Sequence, residues 1–138
     1  MKTFATILTS ALIFATQPQA TEQPDTGLVS LVDQVSTAAD HRDFESLHGL
    51  MVLDFRYSFG GNRSRDEAIE WYKDRPKLLN ELASVLSGDC AITEYDVTLY
   101  YVCPAAAVDP DTPYYGYRAG FRLKDRNNWQ FVWFLAGD

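Results

Sequence analysis

Few side chains in this 138-residue sequence belong to types that commonly carry out chemistry. It contains two histidines, His41 and His48, and two cysteines, Cys90 and Cys103. Two cysteines and two distant histidines do not show the ligand spacing of a zinc site, so we predict neither a metal site nor a cofactor. The sequence also lacks a G-x-S-x-G nucleophile turn and a glycine-rich phosphate loop. Metal-assisted and nucleophilic catalysis therefore find little support in these residues.

The first twenty residues have the layout of a secretory signal peptide. Lys2 is a minimal positive segment, the run 4–15 is uncharged and largely apolar, and Ala20 is a small residue at the expected cleavage edge. The apolar run is too short to span a bilayer, and an uncleaved membrane anchor is the alternative. We predict an exported protein, periplasmic in a Gram-negative bacterium and secreted otherwise, with a signal peptide over 1–20 and a single domain over 21–138.

The predicted export of the chain determines how the two cysteines are interpreted. An even number of cysteines in an exported chain favours a disulfide, and Cys90 with Cys103 is the only pairing. Closing a loop of this length would stabilise the fold by about 3 kcal/mol in the chain-entropy model. Two free buried thiols are the alternative.

The charge of the chain restricts its partners. Removal of residues 1–20 takes away only Lys2, which leaves 11 basic and 19 acidic residues and a net charge of −8. Binding to nucleic acid or to an anionic membrane surface draws on a basic face that releases counterions. We therefore predict no nucleic-acid partner, and no membrane association after cleavage of the signal peptide.

The first half of the chain is predicted to be helical. Apolar residues at i, i+3 and i+4 spacing indicate an amphipathic helix over 26–40, and Asp43 is a suitable N-cap for a short second helix. Ser64 and Glu67 form the pattern of a capping box, in which the glutamate side chain reaches back to the backbone of the serine. Pro76 permits a kink or a fresh helix start within the long segment that follows.

Strands are predicted over 53–59, 97–103, 114–124 and 129–135, because β-branched and aromatic residues or alternating apolar residues fill these runs. The last strand is apolar on both faces. Strict alternation places Trp129, Phe131, Trp133 and Leu135 on one face and Val132, Phe134 and Ala136 on the other. Helices cover one face. The other face must be covered by sheet curvature, by the 104–113 loop or by a second copy of the sheet. We predict a homodimer through the sheet.

This order of elements resembles the nuclear-transport-factor-2-like superfamily, which also contains ketosteroid isomerase, scytalone dehydratase and the small polyketide cyclases. Three segments carry the resemblance: 43–51 leading into a strand, 64–72 at the start of the third helix, and 116–138 as the last hairpin. The resemblance implies an α+β fold, in which a cone-like, curved antiparallel sheet wraps around the N-terminal helices and leaves an apolar pocket.

The chain departs from the catalytic patterns of that superfamily. The isomerase branch uses a tyrosine and two aspartates, and the resemblance puts Val35, Phe59 and Ala119 at those places. The dehydratase branch uses paired histidines with an aspartate, and only His41 and His48 are present. We therefore predict a non-catalytic domain that binds a small apolar ligand or a protein partner. The alternative is a lyase or isomerase that acts in the cone pocket through tyrosines alone.

Aromatic side chains are the remaining candidates for the pocket, with plain hydrophobic core as their alternative role. They are Tyr57, Phe59, Trp71, Tyr101, Tyr117, Phe121 and Phe134. Asp54 and Arg56 on one predicted strand, with Arg118 and Arg122 on a later one, are expected to form exposed cross-strand ion pairs. An anion site is the less favoured interpretation of the same four residues.

Overall fold

The computed structural model describes residues 25–136, so the predicted signal peptide lies outside the described residues. Four helices occupy the first half of this range: α1 (Thr26–Asp40), α2 (Phe44–Leu50), α3 (Arg65–Asp74) and α4 (Lys77–Ser87). Helix α1 has the predicted bounds, and the carboxylate of Asp43 caps α2 by accepting a hydrogen bond from the Ser46 amide. None of the helices within 25–136 is long and apolar enough to cross a membrane.

Five strands form one sheet, in the order β1-β5-β4-β3-β2. Their bounds are Met51–Arg56 (β1), Ala91–Tyr95 (β2), Thr98–Cys103 (β3), Arg118–Asp125 (β4) and Asn128–Leu135 (β5). The predicted α+β class is confirmed, with helices packed on a curved, unclosed sheet. The sheet is mixed and not purely antiparallel, because β1 pairs with β5 in parallel. Residues 57–127 lie between these two strands and provide the long crossover that a parallel pair needs.

Strand β2 is missing from the sequence prediction. It forms a hairpin with β3, in which Asp96 and Val97 make the two-residue turn with φ angles of +48° and +59°. Val97 was predicted as the first residue of a strand, because β-branched residues favour strands. In the structure it occupies the left-handed conformation that two-residue hairpin turns require.

An irregularity in the β4–β5 pairing changes which faces the residues of β5 occupy. Gly120 pairs with Trp133 and Phe121 with Phe131, so Val132 is an extra residue in β5. The predicted strict alternation is therefore wrong beyond Phe131. Phe131 and Phe134 belong to the core that the helices cover, whereas Val132, Trp133 and Leu135 line a groove on the opposite face.

The core lies between the helices and the inner face of the sheet. The rings of Phe55 and Phe121 contact Phe131 from the two neighbouring strands, with centroid distances of 4.8 Å and 5.1 Å. The helices contribute fully buried aliphatic side chains to the same cluster: Leu28, Val35, Leu47, Leu79 and Leu82. Burial of such side chains stabilises the fold by about 1.5–3 kcal/mol each.

The predicted disulfide between Cys90 and Cys103 is supported. The two residues are bonded in the structure with their Cα atoms 4.4 Å apart. The bond joins the segment after α4 to the end of β3, next to a hydrogen bond from the Ala105 amide to the Asp89 carbonyl. A disulfide is the expected state of such a pair in an oxidising compartment.

The outer face of β5 is largely covered within a single chain. Val132 and Leu135 are only 7% and 4% exposed, and a 3-10 turn over Ala105–Val108 contributes Ala107 and Val108 to the groove that they line. The segment 104–113 thus approaches the face for which we expected a second copy. This removes much of the apolar surface that motivated the dimer, and dimerisation through the sheet stays a prediction.

Candidate functional site

Five of the seven aromatic residues selected from the sequence line one pocket beside the last strand. They are Tyr57, Phe59, Trp71, Tyr117 and Phe134. The pocket has a volume of about 340 Å³, which is within the range of small-molecule sites. Its remaining lining comprises Ser58, Tyr72, Arg75, Leu78 and Ala136. The lining is therefore aromatic and aliphatic, with three phenol groups, one serine hydroxyl and one guanidinium.

Each wall of this aromatic pocket comes from a different element. Tyr57 follows β1, Trp71 lies in α3, and their ring centroids are 6.0 Å apart. On the sheet side, the ring of Tyr117 stacks on Phe134 with a centroid distance of 5.8 Å. The guanidinium of Arg75 lies 3.5 Å from the centroid of the Trp71 ring, a cation–π contact that fixes the indole at the rim.

Tyr72 is an aromatic residue of the pocket that the sequence prediction missed. It is 1% exposed, and its ring lies 6.0 Å from that of Phe134. Its hydroxyl is buried and has no hydrogen-bond partner within residues 25–136. Burial, followed by the charge of the nearby Tyr57, raises the pKa of Tyr72 above its ordinary value, so this hydroxyl stays protonated and can donate. Its spacing after Ile69 marks it only as a core residue of an amphipathic helix.

The hydroxyl of Tyr57 is held from outside the pocket. It donates a hydrogen bond of 3.0 Å to the carboxylate of Glu67 on α3. Burial, followed by this hydrogen bond, raises the pKa of Tyr57. Ser64 caps α3 as predicted by accepting from the Glu67 amide. The second half of the predicted capping box is wrong, because the Ser64 amide donates to the Phe55 carbonyl and leaves the Glu67 side chain for Tyr57.

Tyr101 and Phe121, the other two candidates, lie away from the pocket. Phe121 is fully buried in the core, stacked on Phe131, and Tyr101 packs beside it with centroids 6.3 Å apart. Burial raises the pKa of Tyr101. The contacts of these two residues are those of the hydrophobic core, which was the alternative role given to them in the sequence analysis.

The expected ion pairs of Asp54 with Arg118 and Arg122 do not form. Within the described range the salt bridges are His48 with Asp66 and Lys73 with Glu70. The physical reason is the strand order: β5 lies between β1 and β4, which puts the expected partners two strands, or about 9–10 Å, apart. All four residues of the predicted set instead line a groove of about 450 Å³ on the outer face of the sheet.

Comparison with known proteins gives likenesses to solved structures. No family model and no curated protein matches the chain. An NTF-2-like protein of unknown function from Shewanella oneidensis MR-1 is similar at 17% identity, over 84% of this chain and 100% of that one, with a TM-score of 0.48. An NTF2-like protein with a cystatin-like fold from Novosphingobium aromaticivorans is similar at 18% identity, over 79% and 77% of the two chains, with a TM-score of 0.42.

A third similar structure, from Nostoc punctiforme PCC 73102, is a protein of unknown function with a cystatin-like fold. It shares 14% identity over 80% of this chain and 86% of that one, with a TM-score of 0.41. The superfamily resemblance predicted from the sequence agrees with the descriptions of these structures. At such low identities and TM-scores they say nothing about what this chain binds, and the fold class rests on its own helices and sheet.

Proposed function

We propose that this chain is an exported, non-catalytic domain that binds a small, largely apolar ligand in the aromatic pocket. The ligand carries one polar group, a carbonyl or hydroxyl, that accepts a hydrogen bond from Tyr72. The observation that carries the proposal is the buried hydroxyl of Tyr72, a residue that lines the aromatic pocket and whose hydroxyl has no partner within residues 25–136.

The energetics of the hydroxyl favour a role in binding. A buried polar group without a partner costs the fold about 1–3 kcal/mol, and a phenylalanine would fill almost the same volume without that cost. Ligand sites of this kind combine an apolar lining with a few polar groups that fix orientation. A ligand acceptor at Tyr72 would recover a hydrogen bond that the free protein lacks.

The sequence left two alternatives to this proposal, an enzyme and a domain that binds a protein partner. A lyase or isomerase in this pocket would have to transfer protons through the hydroxyls of Tyr57, Tyr72 and Tyr117. The raised pKa of Tyr72 makes it a poor proton donor in a reaction near neutral pH, although it remains a good hydrogen-bond donor. A protein partner would need exposed anchors at the rim, where Phe59 and Trp71 are 46% and 39% exposed.

A matched pair of probes tests the proposal: 2-acetylnaphthalene, which carries a carbonyl, and 2-ethylnaphthalene, which has nearly the same shape without it. Binding is followed by fluorine NMR of protein labelled with 5-fluorotryptophan. We expect the acetyl probe to shift the Trp71 resonance and to bind about tenfold more tightly than the ethyl probe, because one hydrogen bond is worth about 1 kcal/mol or more in a buried site.

Tyr72→Phe should abolish the preference for the acetyl probe, whereas Tyr115→Phe, at a tyrosine that is 68% exposed, should leave it unchanged. Equal affinity of the two probes for the wild-type protein would contradict the role of Tyr72. Absence of any shift at Trp71 with either probe would remove the aromatic pocket as the site.

A further inference from the structure

The outer face of the sheet carries several arginines, although the protein as a whole is acidic. The full chain has a net charge of −7 and eight arginines, of which four line the groove on this face: Arg56, Arg63, Arg118 and Arg122. Among the residues that the structure describes, Asp54 is the one carboxylate in the same lining. A concave surface with this excess of one sign raises the local concentration of ligands of the opposite sign.

The groove has a flat aromatic floor. The indole of Trp133 lies directly on Gly120, so closely that a Cβ atom at that position would collide with the ring. Arg118 and Arg122 lie on either side of Gly120 in β4, and Arg56 is the Cα partner of Trp133 in β1. The strand register therefore places arginine residues of both neighbouring strands beside Trp133.

Three of these arginines donate hydrogen bonds to neutral acceptors in the described part of the chain. Arg118 donates to the Tyr114 carbonyl at 2.6 Å, Arg122 to the Gln130 side-chain oxygen at 3.1 Å, and Arg56 to the Ser58 carbonyl at 3.4 Å. Within residues 25–136 none of the four lies within 4.0 Å of a carboxylate. The Nε atom of Arg118 is buried and has no partner there either. A guanidinium carries five N–H donors, so most of this donor capacity is not used by the fold.

We propose that the groove binds a small organic anion whose carboxylate, sulfonate or phosphate group contacts Arg56, Arg118 and Arg122, and whose flat apolar body lies on Trp133. Arginine suits this role because its planar fork bonds oxyanions in a bidentate manner. The volume of about 450 Å³ fits a small molecule, and Val132 and Leu135 provide apolar walls beside the indole. This site is separate from the aromatic pocket and does not depend on the function proposed for it.

Three tryptophans allow the two sites to be distinguished in one sample. Trp71 lines the aromatic pocket, Trp133 lines the groove, and Trp129 packs against the core. Full-length protein labelled with 5-fluorotryptophan is titrated with sodium naphthalene-2-carboxylate, with the neutral 2-acetylnaphthalene and with inorganic phosphate. We expect the carboxylate to shift the Trp133 resonance and to bind there at least about tenfold more tightly than either other probe, since hydrogen bonds to charged groups are worth about 1.5–3 kcal/mol.

Two substitutions with the same change in charge provide the control. Arg122→Gln should weaken carboxylate binding at Trp133 by about tenfold, whereas Arg126→Gln, at an exposed residue outside the groove, should leave it within about twofold. Circular dichroism confirms that both variants are folded. Arg56→Gln gives a second, independent test from the other side of the indole.

Several results would overturn the proposal. Equal binding of the carboxylate and the neutral probe at Trp133 would show that the arginines do not select charge. If inorganic phosphate bound as tightly as the carboxylate, contact between an apolar body and Trp133 would not contribute to binding. Equal losses in Arg122→Gln and Arg126→Gln would show a diffuse effect of net charge, which salt would screen with a length of about 10 Å at 0.1 M. A shift of the Trp71 resonance alone would place the anion in the other pocket.

Discussion

Replacement of Tyr72 by phenylalanine should stabilise the free protein. In most cores, loss of a tyrosine hydroxyl costs a hydrogen bond, but this hydroxyl has no partner in the described chain. An unpaired buried hydroxyl costs about 1–3 kcal/mol, so its removal should stabilise the fold. The small void left by one oxygen atom offsets part of this stabilisation. We expect a net increase of about 1 kcal/mol in the free energy of unfolding.

The assay is thermal and urea-induced unfolding of the wild type and three tyrosine-to-phenylalanine variants. For a domain of roughly 110 residues, 1 kcal/mol corresponds to an increase of about 4 °C in Tm. Tyr115→Phe, at an exposed residue, should change nothing. Tyr114→Phe should lower stability by about 1 kcal/mol, because that hydroxyl donates to the Tyr117 carbonyl at 2.7 Å.

The pH dependence gives a second measure of the same hydroxyl. Burial raises the pKa of Tyr72 above its ordinary value of 10.0, so above pH 10 the unfolded chain releases a proton that the folded protein retains. The contribution of the Tyr72 hydroxyl to the free energy of unfolding is fully present below pH 10. Above that pH it is lost by about 1.4 kcal/mol per pH unit. Wild type should show this additional slope and Tyr72→Phe should not, while the other tyrosines contribute equally to both proteins.

Destabilisation of Tyr72→Phe by 1 kcal/mol or more, with the same alkaline slope as wild type, would refute this reasoning. It would mean that the hydroxyl is paired in solution and that its cost to the fold is small. The ligand preference proposed for the aromatic pocket would then lose its physical basis.

Three further substitutions, with Gly49→Ala as a control, test the fold by urea denaturation. Gly120→Ala should cost about 1–3 kcal/mol because its Cβ collides with Trp133, whereas Gly49→Ala has open space and should not destabilise; equal effects would contradict the packing. Val97→Gly should stabilise by about 1 kcal/mol because φ is +59° there, and a loss would show a contact of the valine side chain. Cys90→Ala should cost about 2–5 kcal/mol, and no change on reduction of wild type would argue against the disulfide.

Local patterns predicted the helices of this fold better than its strand pairing. Helix α1 has the predicted bounds because its apolar spacing and its position before Asp43 are both local signals. Strand β2 was missed because its five residues at a sheet edge show no period-two alternation: Ile92 and Tyr95 are three positions apart, with two polar residues between them. The parallel pairing of β1 with β5 joins residues about eighty positions apart, and no local pattern specifies such a contact.

The candidate sites show the same limit. Aromatic composition was enough to select five residues of the aromatic pocket, but Tyr72 differs from a core tyrosine only in the partner that its hydroxyl lacks. The ion pairs expected for Arg118 and Arg122 depended on strand neighbours, and the actual order separates them from Asp54 by β5. The extra residue at Val132 then turns Trp133 towards these arginines, which strict alternation could not anticipate.

The two candidate sites adjoin at Phe59. Its ring lines the aromatic pocket, and the guanidiniums of Arg56 and Arg118 lie 5.6 Å and 6.0 Å from its centroid. Buried polar atoms without partners are few in folded proteins because each one costs stability. Of the four such atoms within residues 25–136, the Tyr72 hydroxyl belongs to the aromatic pocket and the Arg118 Nε to a groove residue. A fold that served only to pack its core would gain from apolar groups at both positions, so these two atoms support the ligand sites that we propose.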